Sequence, residues 1–250
     1  MALDRLRRLL GLAPEASSLP ALDENNRLCR ELDQNRPLHD YVYTVLDTEL
    51  TGLSARKEEI VSVGAVRVRG LAIMPGKGQH LLLDRPSVSS LVRPNIPLPK
   101  VSTLIHRITP EAIALAPPLE QVLPGLIEFC KGTLIVGHHI GLDMSFLNRA
   151  CRRHHGQPLA NPCLDTMRMA MLWREKRSPS HYERFSLNIS YVLTDLAEEF
   201  DLPRFTAHDA LGDALQTAYL FIYLAKKIAR NTPLTLKELF RAGQSWRWYM

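Results

Sequence analysis

The sequence predicts an α/β fold, a mixed five-stranded sheet with helices on both faces. Its 250 residues are enough for one well-filled domain and not comfortably enough for two. Hydrophobic residues make up 46% of the chain and charged residues 23%, which is ordinary for a globular protein. The predicted elements run as three strands followed by alternating helices and strands, and this order implies one mixed sheet with helices packed on its faces.

The first three strands are predicted to form an antiparallel meander because short links join them. Residues 41–46 are rich in β-branched and aromatic side chains, and residues 59–68 form a second strand-like run. The third strand is assigned to residues 80–83 and 90–92, after a turn that contains glycine and proline.

The rest of the chain is predicted to alternate between helices and short strands, the strands at 133–137 and 163–165. Thr109-Pro110 combines a cap residue with a first-turn proline, which is typical of a helix start. Thr235-Leu-Lys-Glu238 is a capping box, and the helix that it opens is expected to end at Gly243. The other helices of the main domain are expected at residues 119–131, 143–155, 166–173, 187–200 and 209–230.

The composition changes near residue 40, so the chain is divided into a helical arm at 1–40, a main domain at 41–230 and a C-terminal helix and tail at 231–250. In the arm, leucines at helical spacing with arginines between them predict a helix at 3–10, and a second short helix is expected at 24–32. We favour packing of the arm on the domain surface. Docking of a polymerase or another protein partner is the alternative.

The formal charge of +5 and the pI of about 9.1 permit a polyanionic partner but do not require one. The four cysteines have no regular spacing and do not indicate a disulfide framework. The segment from Cys151 through His154 and His155 to Cys163 is loosely similar to a zinc site, but neither half has a tight ligand pair. The apolar runs are too short for a membrane span, so we expect a reduced cytoplasmic setting and no membrane partner.

An acidic pair, Asp47-Thr-Glu49, follows the first predicted strand. Side chains two residues apart point to the same face of a strand. Two neighbouring carboxylates repel each other, and they are costly at the end of an apolar strand unless a cation lies between them. Strand ends also carry acidic pairs for solubility, so this motif alone leaves both interpretations open.

Two further acidic positions follow at element ends. Asp143 stands at a helix start, where an acid also complements the helix dipole. His208 precedes a helix that carries Asp213 within its first turns, a pattern that a capped amphipathic helix also explains. All three motifs in this order, each at the end of an element, indicate one shared site.

Together the motifs resemble those of the DEDDh exonucleases, the DnaQ-like family that includes the epsilon subunit of bacterial DNA polymerase III and ribonuclease T. The first family motif is matched at 46–53, the second at 137–147 and the third at 208–214. Landmarks between the motifs also match, namely Leu91-Val-Arg-Pro94, Ile105-His106-Arg-Ile108-Thr109 and Asp165-Thr166. The resemblance covers about residues 41–224 and implies a ribonuclease H-like fold, with the exonuclease domain at 41–230.

The resemblance also implies roles for single residues. His208 would be the general base, since the unperturbed pKa of imidazole lies near 6.5. Two divalent ions, Mg²⁺ or Mn²⁺, would be bound by four carboxylates, a ligand type that suits both ions. These ligands would be Asp47, Glu49, Asp143 and Asp213.

The substrate would contact the end of the first motif and the start of the second. Thr51, Gly52 and Leu53 would hold the 3′-terminal nucleotide, with Leu53 against its base. His139 would lie near the scissile phosphate, where the family usually has asparagine. Leu142, Arg107 and Leu50 also depart from the usual phenylalanine, glycine and threonine, but none of the departures removes a metal ligand or the base.

The expected activity is therefore that of a 3′–5′ exonuclease that acts on single-stranded nucleic acid, DNA more than RNA, and releases nucleoside 5′-monophosphates. One alternative is a phosphodiesterase for short oligonucleotides or nucleotides, and another is a non-catalytic nucleic-acid-binding module of the same fold. The basic loop at 174–184 and the tail with Trp246 and Trp248 could grip a strand by charge and stacking, or could be a solvated loop and a packed tail.

Overall fold

Six strands form one mixed sheet at the centre of the fold in a computed structural model of the chain. The structure describes residues 18–74, 87–177, 189–229 and 234–243. The strands within these residues are β1 (Val42–Leu50), β2 (Ile60–Arg69), β3 (Ala72–Ile73), β4 (Ser87–Leu91), β5 (Leu134–Gly137) and β6 (Cys163–Asp165).

The central strand β1 pairs antiparallel with β2 and parallel with β5, and β5 pairs parallel with β6. Both β3 and β4 pair antiparallel with β2, which confirms the antiparallel order predicted for the first strands. The described sheet has six strands rather than five because β3 adds a two-residue strand, too short to show an alternating pattern. Gly70 and Leu71 have positive φ and form the tight two-residue connection between β2 and β3. The predicted strand segment at 80–83 lies outside the described residues.

Helices cover both faces of the sheet, as predicted. One core lies between the sheet and α6 to α9, and the other lies between the sheet and α1, α4 and α5. The described helices are α1 (Pro20–Arg30), α2 (Lys100–His106), α3 (Pro110–Ala114), α4 (Leu119–Cys130), α5 (Gly141–His155), α6 (Thr166–Arg177), α7 (Leu193–Glu199), α8 (Ala210–Ala229), α9 (Leu236–Gly243) and a 3₁₀ turn at Leu38–Asp40.

Both predicted capping motifs are confirmed. The backbone N–H of Ala112 donates to Oγ1 of Thr109 at 3.2 Å at the start of α3. At the start of α9, the N–H of Glu238 donates to Oγ1 of Thr235 at 3.2 Å, and Oε2 of Glu238 accepts the N–H of Thr235 at 2.8 Å. Each cap satisfies N–H groups that have no partner within the helix.

The helix predicted at 187–200 is shorter than expected, because α7 begins only at Leu193. Residues 189–192 are not helical, and Val192 has an extended backbone with φ −67° and ψ 141°. The carbonyl of Tyr191 is instead bonded to a ring nitrogen of His138. A tertiary hydrogen bond thus holds this segment outside the helix, which no local pattern predicts.

Helix α1 packs into the domain through buried amides as well as through fully buried Leu22. The side chain of Asn25 donates to Oδ1 of Asn161 at 2.8 Å and accepts the N–H of Gly132 at 3.0 Å. Asn26 donates to the carbonyl of Pro158 at 2.8 Å. These bonds join α1 to the turn before β5 and to the segment before β6. The helix predicted at 3–10 lies outside the described residues, as do most of the basic loop and the tryptophan-containing tail.

Candidate active site

The alternation of β1 sends successive side chains to opposite faces of the sheet. Tyr43 and Val45 face the core that contains α8, where the Tyr43 and Phe221 rings are 4.7 Å apart. Leu46 faces the opposite core with α4 and α5. The same alternation places Asp47 and Glu49 toward α8 and Thr48 toward α5.

Glycine at position 64 brings the start of α8 against the sheet beside Asp47. Gly64 is the partner of Asp47 across β1 and β2. A Cβ atom at Gly64 would lie 2.2 Å from the carbonyl carbon of Ala210, so the helix backbone can approach this closely only at a glycine. The approach places Asp213, in the first turn of α8, near Glu49.

Glu49, His208 and Asp213 each offer a donor atom, and these atoms lie within 4.8 Å of one another. Within the part of the chain that the structure describes, this is the one group of three or more histidine, cysteine or acidic donors at such spacing. It joins the first and third sequence motifs, which are more than 150 residues apart in the chain.

His208 adopts a left-handed backbone conformation with φ +62° and is exposed. Its backbone N–H donates to Oδ2 of Asp213 at 2.8 Å, which leaves the imidazole outside that bond. Asp209 accepts the N–H of Gly212 at 2.9 Å and caps α8. The turn thus fixes where His208 and Asp213 stand relative to each other.

Asp143 reaches the site from α5 on the other side of β1. Its side chain is 5% exposed, and Oγ1 of Thr48 donates to its Oδ1 at 2.6 Å. Burial raises the pKa of Asp143 to about 7, although the hydrogen bond from Thr48 and backbone N–H bonds act in the opposite direction.

The carboxylates from the three motifs share one electrostatic environment. Burial raises the pKa of Glu49 to about 7, and the negative charges of Asp213 and Asp143 add to the effect. Burial, then repulsion by Asp143 and Asp213, raises the pKa of Asp47 well above its usual value. The pKa of Asp213 is also raised by burial. Four carboxylates in this environment are costly to ionise together unless a positive charge compensates them. Their hard oxygen donors fit a divalent cation such as Mg²⁺ or Mn²⁺.

The turn between β5 and α5 is held by buried polar contacts. His138 Nε2 donates to the carbonyl of Tyr191 at 2.8 Å, and its Nδ1 lies 2.9 Å from Oγ1 of Thr166. Burial lowers the pKa of His138, and the Thr166 hydroxyl also donates to the carbonyl of Gly137 at 3.3 Å. The N–H of His139 donates to Asp165, which also caps α6 through Met167. His138 is therefore a structural member of the second motif.

His139 has φ +56°, in the left-handed region. Asparagine and histidine both tolerate this region better than most residues do. The exchange of the family's usual asparagine for histidine is therefore compatible with the backbone here.

The predicted nucleotide-binding segment follows β1 directly. The N–H of Thr51 donates to the carbonyl of Glu59 at 2.9 Å, and its hydroxyl donates to Oε2 of Glu58 at 2.5 Å. Leu53 is 81% exposed. A fixed Thr51, the adjoining Gly52 and an exposed Leu53 form a small platform next to Glu49.

The structure adds one histidine that the sequence interpretation left without a role. His106, at the end of α2, is 5% exposed, and its Nδ1 accepts the N–H of Ile108 at 3.0 Å. Burial and the nearby His208 lower its pKa. Its Nε2 is buried without a hydrogen-bond partner among the described residues. The Ile105-His106-Arg-Ile108 landmark was the sequence signal from which a position of His106 near the site could have been predicted.

The zinc-like segment does not have the character of a metal site. Cys151 and Cys163 are buried free thiols, and burial raises the pKa of both, that of Cys151 to about 12. Zinc binds the thiolate, which burial disfavours here.

No described helix is both long enough and apolar enough to cross a membrane.

Comparison with known proteins gives the same family as the sequence motifs. The exonuclease family model matches residues 44–221, which is more than half of the chain. The epsilon subunit of DNA polymerase III from Aquifex aeolicus is 29% identical over 199 residues, which cover 80% of this chain and 88% of that protein. The PolC-type DNA polymerase III of Caldanaerobacter subterraneus subsp. tengcongensis is 29% identical over 187 residues, 74% of this chain but only 12% of that protein.

Solved structures share the fold. Exonuclease X in complex with 5′ overhanging duplex DNA aligns with a TM-score of 0.51 at 23% identity, over 80% of this chain and 99% of that one. The nuclease domain of 3′hExo, a DEDDh family member bound to rAMP, aligns at 0.58 with 18% identity, over 80% and 98%. An E. coli exonuclease I–ssDNA complex aligns at 0.60 with 16% identity, over 81% and 43%. The chain therefore belongs to the DEDDh exonuclease family, the metal-dependent 3′–5′ exonucleases with a ribonuclease H-like fold.

Proposed function

We propose that this chain removes nucleotides one at a time from the 3′ end of single-stranded DNA by a two-metal mechanism and releases nucleoside 5′-monophosphates. The observation that carries the proposal is the convergence of the carboxylates of Asp47, Glu49, Asp143 and Asp213 at the end of β1, next to exposed His208. This set is complete, which favours an active enzyme over a non-catalytic binding module.

The four carboxylates would hold two divalent ions, Mg²⁺ or Mn²⁺. Bound ions of this kind polarise a phosphoryl group, stabilise a leaving oxygen and lower the pKa of water. Donor atoms of Glu49 and Asp213 lie within 4.8 Å of each other, while Asp47 and Asp143 complete the set from β1 and α5. Charge neutralisation by cations would offset the repulsion that raises the pKa of these acids.

His208 would take the proton from the attacking water at one of its ring nitrogens. The ring is exposed, and its backbone, not its imidazole, makes the bond to Asp213. A base in this position can reach a water above the carboxylates without leaving its turn. His208 also lies within the group of three close donors, so its role as base rather than ligand requires a direct test.

The 3′-terminal nucleotide would lie on the platform of Thr51, Gly52 and Leu53. Leu53 offers an apolar surface to a base because it is almost fully exposed on a loop anchored by Thr51. His139 would lie near the scissile phosphate. The preference for DNA over RNA is supported by the polymerase III epsilon relative and by the DNA complexes among the structural neighbours.

A polymerase is the protein partner we propose, and residues 1–40 are its proposed docking element. Both relatives described above, the epsilon subunit and the PolC-type protein, are DNA polymerase III proteins. The inner face of α1 is already buried against the domain, so a partner would have to use the exposed side of α1 or the residues that precede it.

A substrate panel tests the proposal. Single-stranded DNA, duplex DNA, RNA and dinucleotides, each labelled at the 5′ end, are incubated with Mg²⁺, with Mn²⁺ and with excess EDTA. We expect single-stranded DNA to shorten as a ladder with either ion and not in EDTA. Asp213→Asn should abolish hydrolysis while the fold is retained.

Two results would contradict the proposal. Equally fast cleavage of a circular single strand would show an endonuclease. A clear preference for dinucleotides would favour the second candidate, an oligonucleotide phosphodiesterase with the same chemistry.

A further inference from the structure

Thr48 stands between the two acids of the first motif but faces the opposite side of the sheet. It is 8% exposed, and its Oγ1 donates to Oδ1 of Asp143 at 2.6 Å. The bond joins β1, which carries the first acidic pair, to α5, which carries the acid of the second motif. Thr48 is thus the direct side-chain link between two of the motifs that supply carboxylates.

The hydroxyl of a threonine has a single proton to donate, and here that proton goes to a carboxylate. Hydrogen bonds to an ionised acceptor are short and about twice as strong as neutral ones. With Oδ1 held, rotation of the Asp143 carboxyl group is restricted, and the direction of Oδ2 is set. Ligands of bound metals depend on such outer partners for their orientation.

We propose that Thr48 is a positioning residue that orients the Asp143 carboxylate for a divalent cation, an inference that rests on the proposed function. The residue does not touch the substrate or the ion. It acts through Asp143, by fixing the carboxylate relative to Asp47 and Glu49 on the same strand.

The electrostatics of Asp143 agree with this geometry. Burial raises its pKa, and the hydrogen bond from Thr48 is the first of the effects that lower it. The bond therefore favours the ionised form of the acid, which is the form that binds a cation.

The chain offers a matched control in Thr44, which lies on the same strand and faces the same side. Thr44 is fully buried, and its hydroxyl bonds Oγ1 of Thr133 at 2.8 Å. Thr44→Val removes the buried hydroxyl contacts with Thr133 and with the carbonyl of Phe129, and Thr48→Val removes the contact with Asp143. Neither substitution changes the shape of the side chain. Only the second variant loses a partner of a proposed metal ligand, and Thr48→Ser keeps that hydroxyl.

The experiment measures Mn²⁺ binding to each purified variant by calorimetry, together with the rise in Tm that Mn²⁺ produces. Melting in EDTA shows whether each variant is folded. We expect Thr48→Val to bind Mn²⁺ roughly 10–100-fold more weakly than the parent chain, with a correspondingly smaller Tm rise. Thr48→Ser should restore most of the affinity, and Thr44→Val should bind as the parent does even if it is less stable.

The proposal is wrong if Thr48→Val binds Mn²⁺ as tightly as the parent, if Thr44→Val loses as much affinity, or if Thr48→Ser fails to restore it. Mn²⁺ binding and hydrolysis by the parent chain distinguish a failure of this inference from a failure of the proposed function. A parent that binds Mn²⁺ but hydrolyses no substrate overturns the exonuclease proposal and still leaves Thr48 tested by binding. A parent that binds no Mn²⁺ overturns both.

Discussion

Buried carboxylates at the end of β1 carry an electrostatic cost that depends on pH. Burial raises the pKa of Glu49 and of Asp143 to about 7, and repulsion by Asp213 and Asp143 adds to the effect on Glu49. An acid whose pKa is raised by folding stabilises the protein fully below its unfolded pKa, and this contribution is lost as the pH rises through the folded pKa. For these two acids the loss falls between about pH 4 and pH 7.

The first prediction is that Glu49→Gln becomes more stable relative to the parent as the pH rises from 5 to 8 in EDTA. A shift from 4.5 to about 7 corresponds to a difference on the order of 3 kcal/mol at most. The parent and Glu49→Gln contain the same histidines, so the difference in stability between them reports on the Glu49 carboxyl group. Urea unfolding at several pH values measures the difference, and Mg²⁺ should reduce it for the parent. A stability difference that stays constant with pH would contradict the assigned environment.

The second prediction concerns His208, and the left-handed backbone decides which substitution is informative. Alanine is strained at φ +62°, whereas asparagine tolerates this region. We expect His208→Asn to keep the fold and Mn²⁺ affinity while turnover falls by roughly 10²–10⁴ because a positioned base is lost. Single-turnover kinetics and calorimetry separate the two quantities.

His139→Asn is the matched histidine variant for this test, because the parent residue has a similar φ of +56°. It should change the preference between substrates far more than it changes turnover. A large loss of Mn²⁺ affinity in His208→Asn would make His208 a ligand. An inactive His139→Asn variant together with an active His208→Asn variant would identify His139 as the general base.

At the level of elements, the contact between β2 and α8 sets the geometry of the site. The third prediction is that Gly64→Ala impairs catalysis although the residue touches neither substrate nor metal. Its Cβ would clash with the backbone of Ala210, so the first turn of α8 must move away and carry His208 and Asp213 with it. A displacement of about 1 Å at reacting groups can cost about 10²-fold in rate, and the strain should cost about 1–3 kcal/mol of stability.

Gly125→Ala is the control for that variant. Gly125 lies in α4, where an added Cβ would meet nothing within 4 Å, so alanine should raise stability by up to about 1 kcal/mol. Activity assays and thermal melts of both variants test the prediction. Unchanged activity in a folded Gly64→Ala protein would show that the approach of α8 does not set the site.

Patterns that repeat along one element were predictable from the sequence, and contacts between distant elements were not. The strand that carries Asp47 and Glu49, the helix starts at Thr109 and Thr235 and the position of Asp143 all follow from local patterns. The extended segment at 189–192 depends on the bond from His138, 53 residues earlier, and the buried contact of Thr48 with Asp143 spans 95 residues. Such bonds leave no local signal.

At the scale of the whole molecule, the segment before β1 is part of the folded body from α1 onward. The fourth prediction is that Asn25→Ala destabilises the chain by about 1–3 kcal/mol, because buried Asn161 loses the donor to its Oδ1 and the half-buried N–H of Gly132 loses its acceptor. Cys29→Ala, on the same helix but with only a weak thiol contact, should cost less. Thermal or urea unfolding measures both, and equal losses would mean that the buried amides of α1 add little.

One face of β1 carries the two acids and the other carries Thr48. The length of this strand therefore restricts how the sequence can evolve. Removal or insertion of one residue between Tyr43 and Asp47 would turn every later side chain to the other face. The acids would then point toward α5, and Thr48 toward α8. Descendants of this chain can tolerate length changes in surface loops, but in this strand they can change only by substitution. Anyone who grafts this centre into another scaffold has to transfer the nine residues of Val42–Leu50 as one uninterrupted unit.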